Sequence, residues 1–206
     1  MLIKKLEVGN LMSNCYIIGC QDTSEAVVID PGAEPDTILA VLEENNLKLK
    51  YIINTHGHVD HMGANEPLQK ATSADILIHE EDAQLFHNPQ ENLSMFVGGE
   101  VLLSPPQRLL KEGDTITFGN ITLKVIHTPG HTRGGISLYT DQVVFTGDTL
   151  FAGSIGRTDL PGGDYKEIIR SIKEKILPLG DETNVCPGHG PVSSVAKEKK
   201  TNPFLR

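Results

Sequence analysis

Short apolar runs, divided by polar turn residues, fill the first part of the chain. Short apolar runs bounded by turn residues are typical of strands. These runs predict strands over residues 3–8, 14–19, 26–29, 50–54 and 75–79. Apolar residues at helical spacing predict helices over residues 36–46, 61–72 and 80–86.

The second part of the chain repeats the strand pattern after a segment without a clear period. Residues 88–107 contain prolines and a Gly-Gly pair among a few scattered apolar residues, which predicts a long loop or a lid. Further strands are predicted over residues 115–118, 121–127, 135–139, 143–146 and 183–186. Residues 153–163 are a glycine-rich loop, and isoleucines on one face predict a helix over residues 165–177.

The order of these elements indicates the fold class. Strands and helices alternate, but several strands also follow each other directly through short turns. Such hairpins exclude a plain doubly wound parallel sheet, so we predict an α/β fold of two mixed β-sheets with helices outside. A length of 206 residues fits one domain over residues 1–206.

Charge and composition narrow the functional classes. The net charge is -9, and the only lysine-rich run, residues 197–200, is interpreted as a solvated helix face, so no nucleic-acid partner is expected. No segment has the ~20 apolar residues of a transmembrane helix. Residues 1–6 do not resemble a signal peptide, so we expect a cytoplasmic protein without a membrane partner.

The three cysteines, Cys15, Cys20 and Cys186, form no C-x-x-C pair. Reduced, buried thiols are therefore favoured over a disulfide framework. Cys186 lies three residues before His189, so a role as a metal ligand is an alternative to a place in the core.

The candidate chemistry begins in the stretch Thr55-His56-Gly57-His58-Val59-Asp60-His61, directly after the apolar run Tyr51-Ile52-Ile53. The imidazoles of His56 and His58 can converge on one cation from a loop backbone. Asp60 and His61 follow at a helix start and can point to a second position. Imidazole and carboxylate groups are common ligands of zinc and similar divalent ions. We therefore predict about half of a two-metal hydrolytic site here.

Three further ligand-type residues follow apolar strands: His131, Asp148 and His189. Strand ends collect at one edge of layered sheets, so these side chains are expected to meet the histidine stretch. The other histidines are interpreted structurally. His79 is placed at a helix start and His87 at a helix end, and His127 is structural or supports a ligand.

These motifs, in this order, resemble the metallo-β-lactamase superfamily, whose fold is an αββα sandwich. The resemblance implies that His56, His58 and His131 bind one metal ion, that Asp60, His61 and His189 bind another, and that Asp148 bridges them. It implies two divalent ions, with zinc expected and iron or manganese as alternatives. Asp30 matches an early aspartate of the family that orients the site; its alternative role is a turn residue before Pro31-Gly32.

Within the superfamily, residues 55–61, 128–132, 147–151 and 187–190 resemble the type II glyoxalases, which hydrolyse hydroxyacyl-glutathione thioesters. A bridging Asp148 argues against true β-lactamases. Only 17 residues follow His189, so the helical domain that holds glutathione in longer relatives is not expected. Residues 153–159 resemble both the short single-domain relatives and the persulfide dioxygenases.

The resemblance implies hydrolysis of a small-molecule thioester by a metal-bridging hydroxide, which Asp60 also helps to orient. The alternatives are a mono-iron persulfide dioxygenase, a lactonase or other ester hydrolase, and a metal-binding fold without catalysis. Arg157 and residues 88–107 are candidates for substrate contact, and a surface salt bridge is the other interpretation of Arg157.

Overall fold

A computed structural model of the chain describes residues 1–206. Its first sheet contains, in spatial order, β1 (Leu2–Val8), β2 (Ser13–Gly19), β3 (Glu25–Ile29), β4 (Lys48–Ile53), β5 (Asp75–His79) and β6 (Arg108–Leu110). The three N-terminal strands pair antiparallel, and β3 to β6 pair in parallel. The sheet is therefore mixed, as the combination of hairpins and strand–helix alternation predicts.

The remaining strands are β7 (Thr115–Phe118), β8 (Ile121–His127), β9 (Ile136–Thr140), β10 (Val143–Gly147), β11 (Leu150–Phe151), β12 (Ser154–Ile155), β13 (Asn184–Pro187) and β14 (Ser193–Ser194). The second sheet has the order β14-β13-β10-β9-β8-β7, and β11 and β12 form a separate hairpin. β10 and β13 pair in parallel, whereas the other neighbours in the second sheet are antiparallel.

The α-helices are α1 (Pro35–Glu44), α2 (Val59–Met62), α3 (Asn65–Thr72), α4 (Ser94–Val97), α5 (Tyr165–Ser171) and α6 (Val195–Thr201). Short 3-10 helices cover Ala83–His87, Leu177–Leu179 and Pro203–Leu205, and a π-helical turn, Ile172–Ile176, continues α5. None of the helices has the length and apolar composition needed to span a membrane.

The alternation of side chains along the strands produces the layers. In the fully buried strand β2, Cys15 and Ile17 pack with the apolar faces of α1 and α3, whereas Tyr16 and Ile18 pack between the two sheets. Successive side chains of a strand point to opposite faces, so one strand contributes to two cores. A third apolar cluster joins the outer face of the second sheet to α5 and α6. The helix–sheet–sheet–helix order confirms the predicted fold class.

Several predicted boundaries were wrong. The predicted helix over residues 61–72 is two helices, α2 and α3, interrupted at Gly63 and Ala64. A Cβ at Gly63 would lie 2.4 Å from the Gly32 carbonyl oxygen, and the Ala64 amide donates to the Pro31 carbonyl at 2.9 Å. The helix is interrupted because Gly63 and Ala64 lie directly against the turn formed by Pro31 and Gly32.

The segment predicted as a loop over residues 88–107 is largely irregular, but it contains α4 and leads into the short strand β6, which was missed. The hairpin of β11 and β12 was missed as well, and it takes the first residues of the predicted loop over residues 153–163. The predicted helix over residues 80–86 is a 3-10 helix over Ala83–His87. Two- and three-residue strands are too short to show a period in the sequence.

The interpretation of residues 197–200 as a solvated helix face fails at Glu198. Its three lysine neighbours are exposed, but Glu198 is fully buried. The carboxylate accepts hydrogen bonds from the Gly153 amide at 2.8 Å and from Asn202 Nδ2 at 2.8 Å. The C-terminal helix α6 is thereby anchored to the hairpin of β11 and β12, because a buried carboxylate needs such partners.

Candidate metal centre

The loop after β4 presents the first candidate ligands. β4 lies in the middle of the first sheet, and the next two residues in the chain, Asn54 and Thr55, are buried. Asn54 Nδ2 donates to the His61 carbonyl oxygen at 2.8 Å, which closes the loop on the start of α2. At Gly57, a Cβ would lie 2.6 Å from Leu85 Cβ, so glycine lets this loop pack closely on the neighbouring 3-10 helix.

The second sheet supplies the other candidates at the same edge. His131 lies between β8 and β9, Asp148 follows β10, and His189 follows β13. The Asn14 amide donates to the Gly188 carbonyl at 2.7 Å, so the first sheet holds the loop of His189 directly. The structure brings all seven residues of the predicted ligand set together.

One group of candidate ligands consists of His56, His58 and His131, whose ligand atoms lie within 4.8 Å of one another. His131 Nε2 is 3.0 Å from His58 Nδ1. His56 Nε2 and His58 Nε2 are buried and have no hydrogen-bond partner. Since buried polar atoms are normally hydrogen-bonded, the partnerless Nε2 of His56 in a histidine cluster fits a cation.

The other group consists of Asp60, His61 and His189, again with ligand atoms within 4.8 Å. His189 Nε2 is 3.2 Å from Asp60 Oδ2 and 3.2 Å from His61 Nε2. One carboxylate and two imidazoles are a common ligand set for zinc and for other divalent first-row metal ions.

Asp148 lies between the two groups. Its Oδ1 is 3.5 Å from His61 Nε2, and its Oδ2 is 3.6 Å from His131 Nε2. Oδ1 is buried without a hydrogen-bond partner. A Cβ on Gly188 would lie 2.2 Å from this oxygen, so glycine leaves the space that the carboxylate occupies. The position suits a group that contacts both candidate metal positions.

The charges of the two groups differ. Burial, together with the neighbouring His131, lowers the pKa of His58 to about 3, and burial also lowers the pKa of His56 well below its usual value. Burial disfavours the charged form of His61 as well, but the carboxylates of Asp60, Asp148 and Asp30 outweigh it and raise its pKa to about 10. His56 and His58 therefore offer neutral imidazoles, which is the form that binds metal, and the second group attracts positive charge at His61.

Asp30 is buried beneath the second group. Its Oδ1 accepts from the Thr55 amide at 2.7 Å, and its Oδ2 accepts from Thr55 Oγ1 at 2.6 Å and faces His61 Nδ1 at 3.1 Å. Its φ of 52° is unusual for a residue other than glycine. Of its two interpretations, the orienting role is the one these contacts support, since a carboxylate on Nδ1 leaves Nε2 free for a ligand role.

Asp82 plays the corresponding part for the first group, and no local sequence signal indicates this role. Its Oδ2 accepts from the Gly57 amide at 3.0 Å and from Thr132 Oγ1 at 2.7 Å, and its Oδ1 accepts from the Gly134 amide at 2.6 Å. The side chain is fully buried, and burial raises its pKa despite these donors. One carboxylate thus joins the loop of His56 and His58 to the loop of His131.

The remaining candidates are placed outside the cluster. The side chain of Arg157 is 68% exposed and pairs with Asp159 at 2.8 Å, which agrees with the surface salt bridge. Its carbonyl oxygen, however, lies 2.7 Å from His131 Nδ1 and so helps to orient that ring. Cys186 belongs to the core between the sheets, where burial raises its pKa to about 11.

The other three histidines lie away from the cluster. The rings of His79 and His127 stack 4.2 Å apart. His79 Nδ1 accepts from the Glu81 amide at 3.3 Å, in agreement with a role at the turn that precedes the 3-10 helix. His87 ends that helix, as the sequence predicts.

Comparison with known proteins identifies the family of the chain. Residues 8–189 match the family model of the metallo-beta-lactamase superfamily. The chain is 38% identical to the hydroxyacylglutathione hydrolase GloC of Haemophilus influenzae, with 100% of this chain and 98% of that protein covered.

Two solved structures have the same fold along their whole length. The BLEG-1 B3 metallo-beta-lactamase superposes with a TM-score of 0.94 at 36% identity, covering 99% of each chain. TTHA1623, solved in a di-iron-bound form, superposes with a TM-score of 0.86 at 38% identity, covering 98% of this chain and 100% of that one. The chain therefore belongs to the metallo-beta-lactamase superfamily.

Proposed function

We propose that the protein is a metal-dependent hydrolase of acyl-thiol esters. In this proposal His56, His58 and His131 hold one divalent ion, Asp60, His61 and His189 hold a second, and Asp148 contacts both. The observation that carries it is the convergence of two groups of three candidate ligands with Asp148 between them. Buried atoms of His56 and Asp148 in this cluster have no hydrogen-bond partner.

Two bound divalent ions would supply a hydroxide near neutral pH and a Lewis acid for the thioester carbonyl. The protein's own groups then position the reaction. Asp60 is the least buried of the three carboxylates of the cluster, with a side chain 19% exposed against 12% for Asp148 and 2% for Asp30. Its carboxylate can accept a hydrogen bond from the attacking water and orient it, which is the catalytic role proposed for Asp60.

Glutathione esters belong among the substrates to be tested. The similar protein named hydroxyacylglutathione hydrolase is covered by this chain over 98% of its length. A chain of this size is therefore compatible with that substrate class.

The proposal is tested by a substrate panel on protein loaded separately with zinc, iron or manganese. The panel contains hydroxyacyl-glutathione and other acyl-thioesters, a lactone, a β-lactam and glutathione persulfide. A thiol reagent and an oxygen electrode record turnover. We expect one free thiol per thioester consumed, no oxygen uptake, and the highest kcat/KM for a thioester.

Two results would contradict the proposal. Oxygen consumption on the persulfide with a single bound iron would establish the dioxygenase alternative. Turnover of the lactone or the β-lactam without turnover of any thioester would show that the site hydrolyses ester or amide bonds instead. The β-lactam is included because one similar structure is described as a B3 metallo-beta-lactamase.

A further inference from the structure

A small recess adjoins the second group of candidate ligands. Its volume is about 150 Å³, and Asp60 contributes to its wall. Five apolar side chains line it: Val8, Leu11, Ala33, Val59 and Val97. Val59 lies between His58 and Asp60 in the chain, so the recess and the candidate metal centre share the segment of Asp60.

The polar groups of the recess are largely occupied by internal hydrogen bonds. Ser13 Oγ donates to the Asp60 carbonyl oxygen at 2.6 Å, and the Gly9 amide donates to Glu34 Oε1 at 3.1 Å. Asn10 is exposed on its outer side. The recess therefore offers a ligand mainly apolar contact.

Two of the apolar side chains that line the recess are exposed, and so are their chain neighbours. Leu11 is 49% exposed and Val97 is 49% exposed, and their chain neighbours Met12 and Phe96 are 64% and 76% exposed. The Val59 amide donates to the Asn92 carbonyl at 2.9 Å, which fixes the segment before α4 beside the candidate ligands. Clustered apolar surface next to a polar centre is characteristic of a ligand-binding edge.

We propose that this recess binds the acyl group of the substrate and that this group is a hydrocarbon of about six carbons. The inference rests on the proposed thioesterase function. A cavity of similar volume with apolar walls accepts benzene, which sets the size. The thiol half of a glutathione ester carries charged groups, whose burial against apolar walls is unfavourable. The acyl half is the part that can be both small and apolar.

The test uses thioesters of a single thiol with linear acyl groups of two to ten carbons, together with the lactoyl ester, on the metal-loaded full chain. Each buried methylene is expected to raise kcat/KM about two- to fourfold, up to about six carbons. The six-carbon ester has four more methylenes than the two-carbon ester and should therefore exceed it by about 16–250-fold, and longer chains should add little.

Two variants locate the effect. Leu11→Asn and Val97→Asn should each reduce the ratio of six-carbon to two-carbon kcat/KM at least about fivefold, because each places a polar group in the recess. Leu109→Asn is the matched control, since Leu109 is 48% exposed and lies on β6, outside the recess. It should leave the ratio unchanged.

Binding of the product hexanoate separates failure of the inference from failure of the proposed function. Hexanoate, but not acetate, should shift the methyl resonances of Leu11 and Val97 in a saturable manner, even if no thioester is hydrolysed. A flat chain-length profile, a preference for the lactoyl ester, or methyl resonances that hexanoate does not move would each overturn the inference.

Discussion

Replacing Asp148 with asparagine should lower kcat/KM for the best thioester by at least about 10³-fold, which corresponds to about 4 kcal/mol of transition-state stabilisation. The two carboxylate oxygens of Asp148 face His61 and His131 at 3.5 and 3.6 Å, so this side chain is placed to contact both candidate metal positions. Asparagine keeps the size but removes the negative charge and one of the two oxygen ligands. Metal content should fall toward one ion per chain, as measured by elemental analysis.

The control for this variant is Asp181→Asn. Asp181 is 62% exposed and pairs with Lys199 on the surface, where an ion pair contributes little. It should retain both metal ions and nearly all activity. An Asp148→Asn protein that keeps two metal ions and a kcat/KM within about threefold of the original would show that Asp148 does not bridge the two positions.

Asp82→Asn should weaken metal binding at the group of His56, His58 and His131 by about 10–100-fold, the usual cost of losing a group that orients metal ligands. Asp82 accepts three hydrogen bonds with its two carboxylate oxygens, whereas asparagine has only one oxygen acceptor. The loop of His56 and His58 and the loop of His131 therefore lose part of their connection. Asp30→Asn should weaken the group of His61 in the same way, because Asp30 faces His61 Nδ1.

Asp82→Asn should therefore weaken metal binding mainly at the group of His131, and Asp30→Asn mainly at the group of His61. During a metal titration, the ring resonances of His131 and His189 report on the two groups separately. Glu198→Gln serves as the matched control, because Glu198 is also a fully buried carboxylate but contacts neither histidine loop. Equal weakening of both groups in Asp82→Asn and in Asp30→Asn, at unchanged circular dichroism, would contradict separate orienting roles.

The candidate ligands could be predicted because each has a local signal. His56, His58, Asp60 and His61 form one short motif, and the other three follow apolar strands that end at the same edge. The layers were predictable for a similar reason, since short apolar runs between turn residues indicate strands and apolar residues at helical spacing indicate helices along most of the chain.

The supporting residues could not be predicted because their partners are distant in the sequence. Asp82 is bonded to Gly57, 25 residues away, and to Thr132, 50 residues away. Glu198 lies in a lysine-rich run that is typical of a solvated helix, yet it bonds Gly153 across 45 residues. None of these contacts alters the local pattern of apolar and polar residues, so only the folded chain shows that these carboxylates are buried.

The break between α2 and α3 illustrates the same limit at the backbone. Residues 61–72 have the composition of one helix, and the turn at Gly63 arises from its contact with the distant Gly32 carbonyl. His61 is thereby placed at the end of a short helix, beside Asp30 and Asp148.

The central claim is that the seven side chains form one centre for two metal ions, and titration of metal-free protein with zinc tests it most directly. Calorimetry and thioesterase activity are followed in the same titration. We predict saturation at two equivalents per chain, with full kcat/KM reached only as the second equivalent binds. Saturation and full activity at one equivalent would contradict the claim.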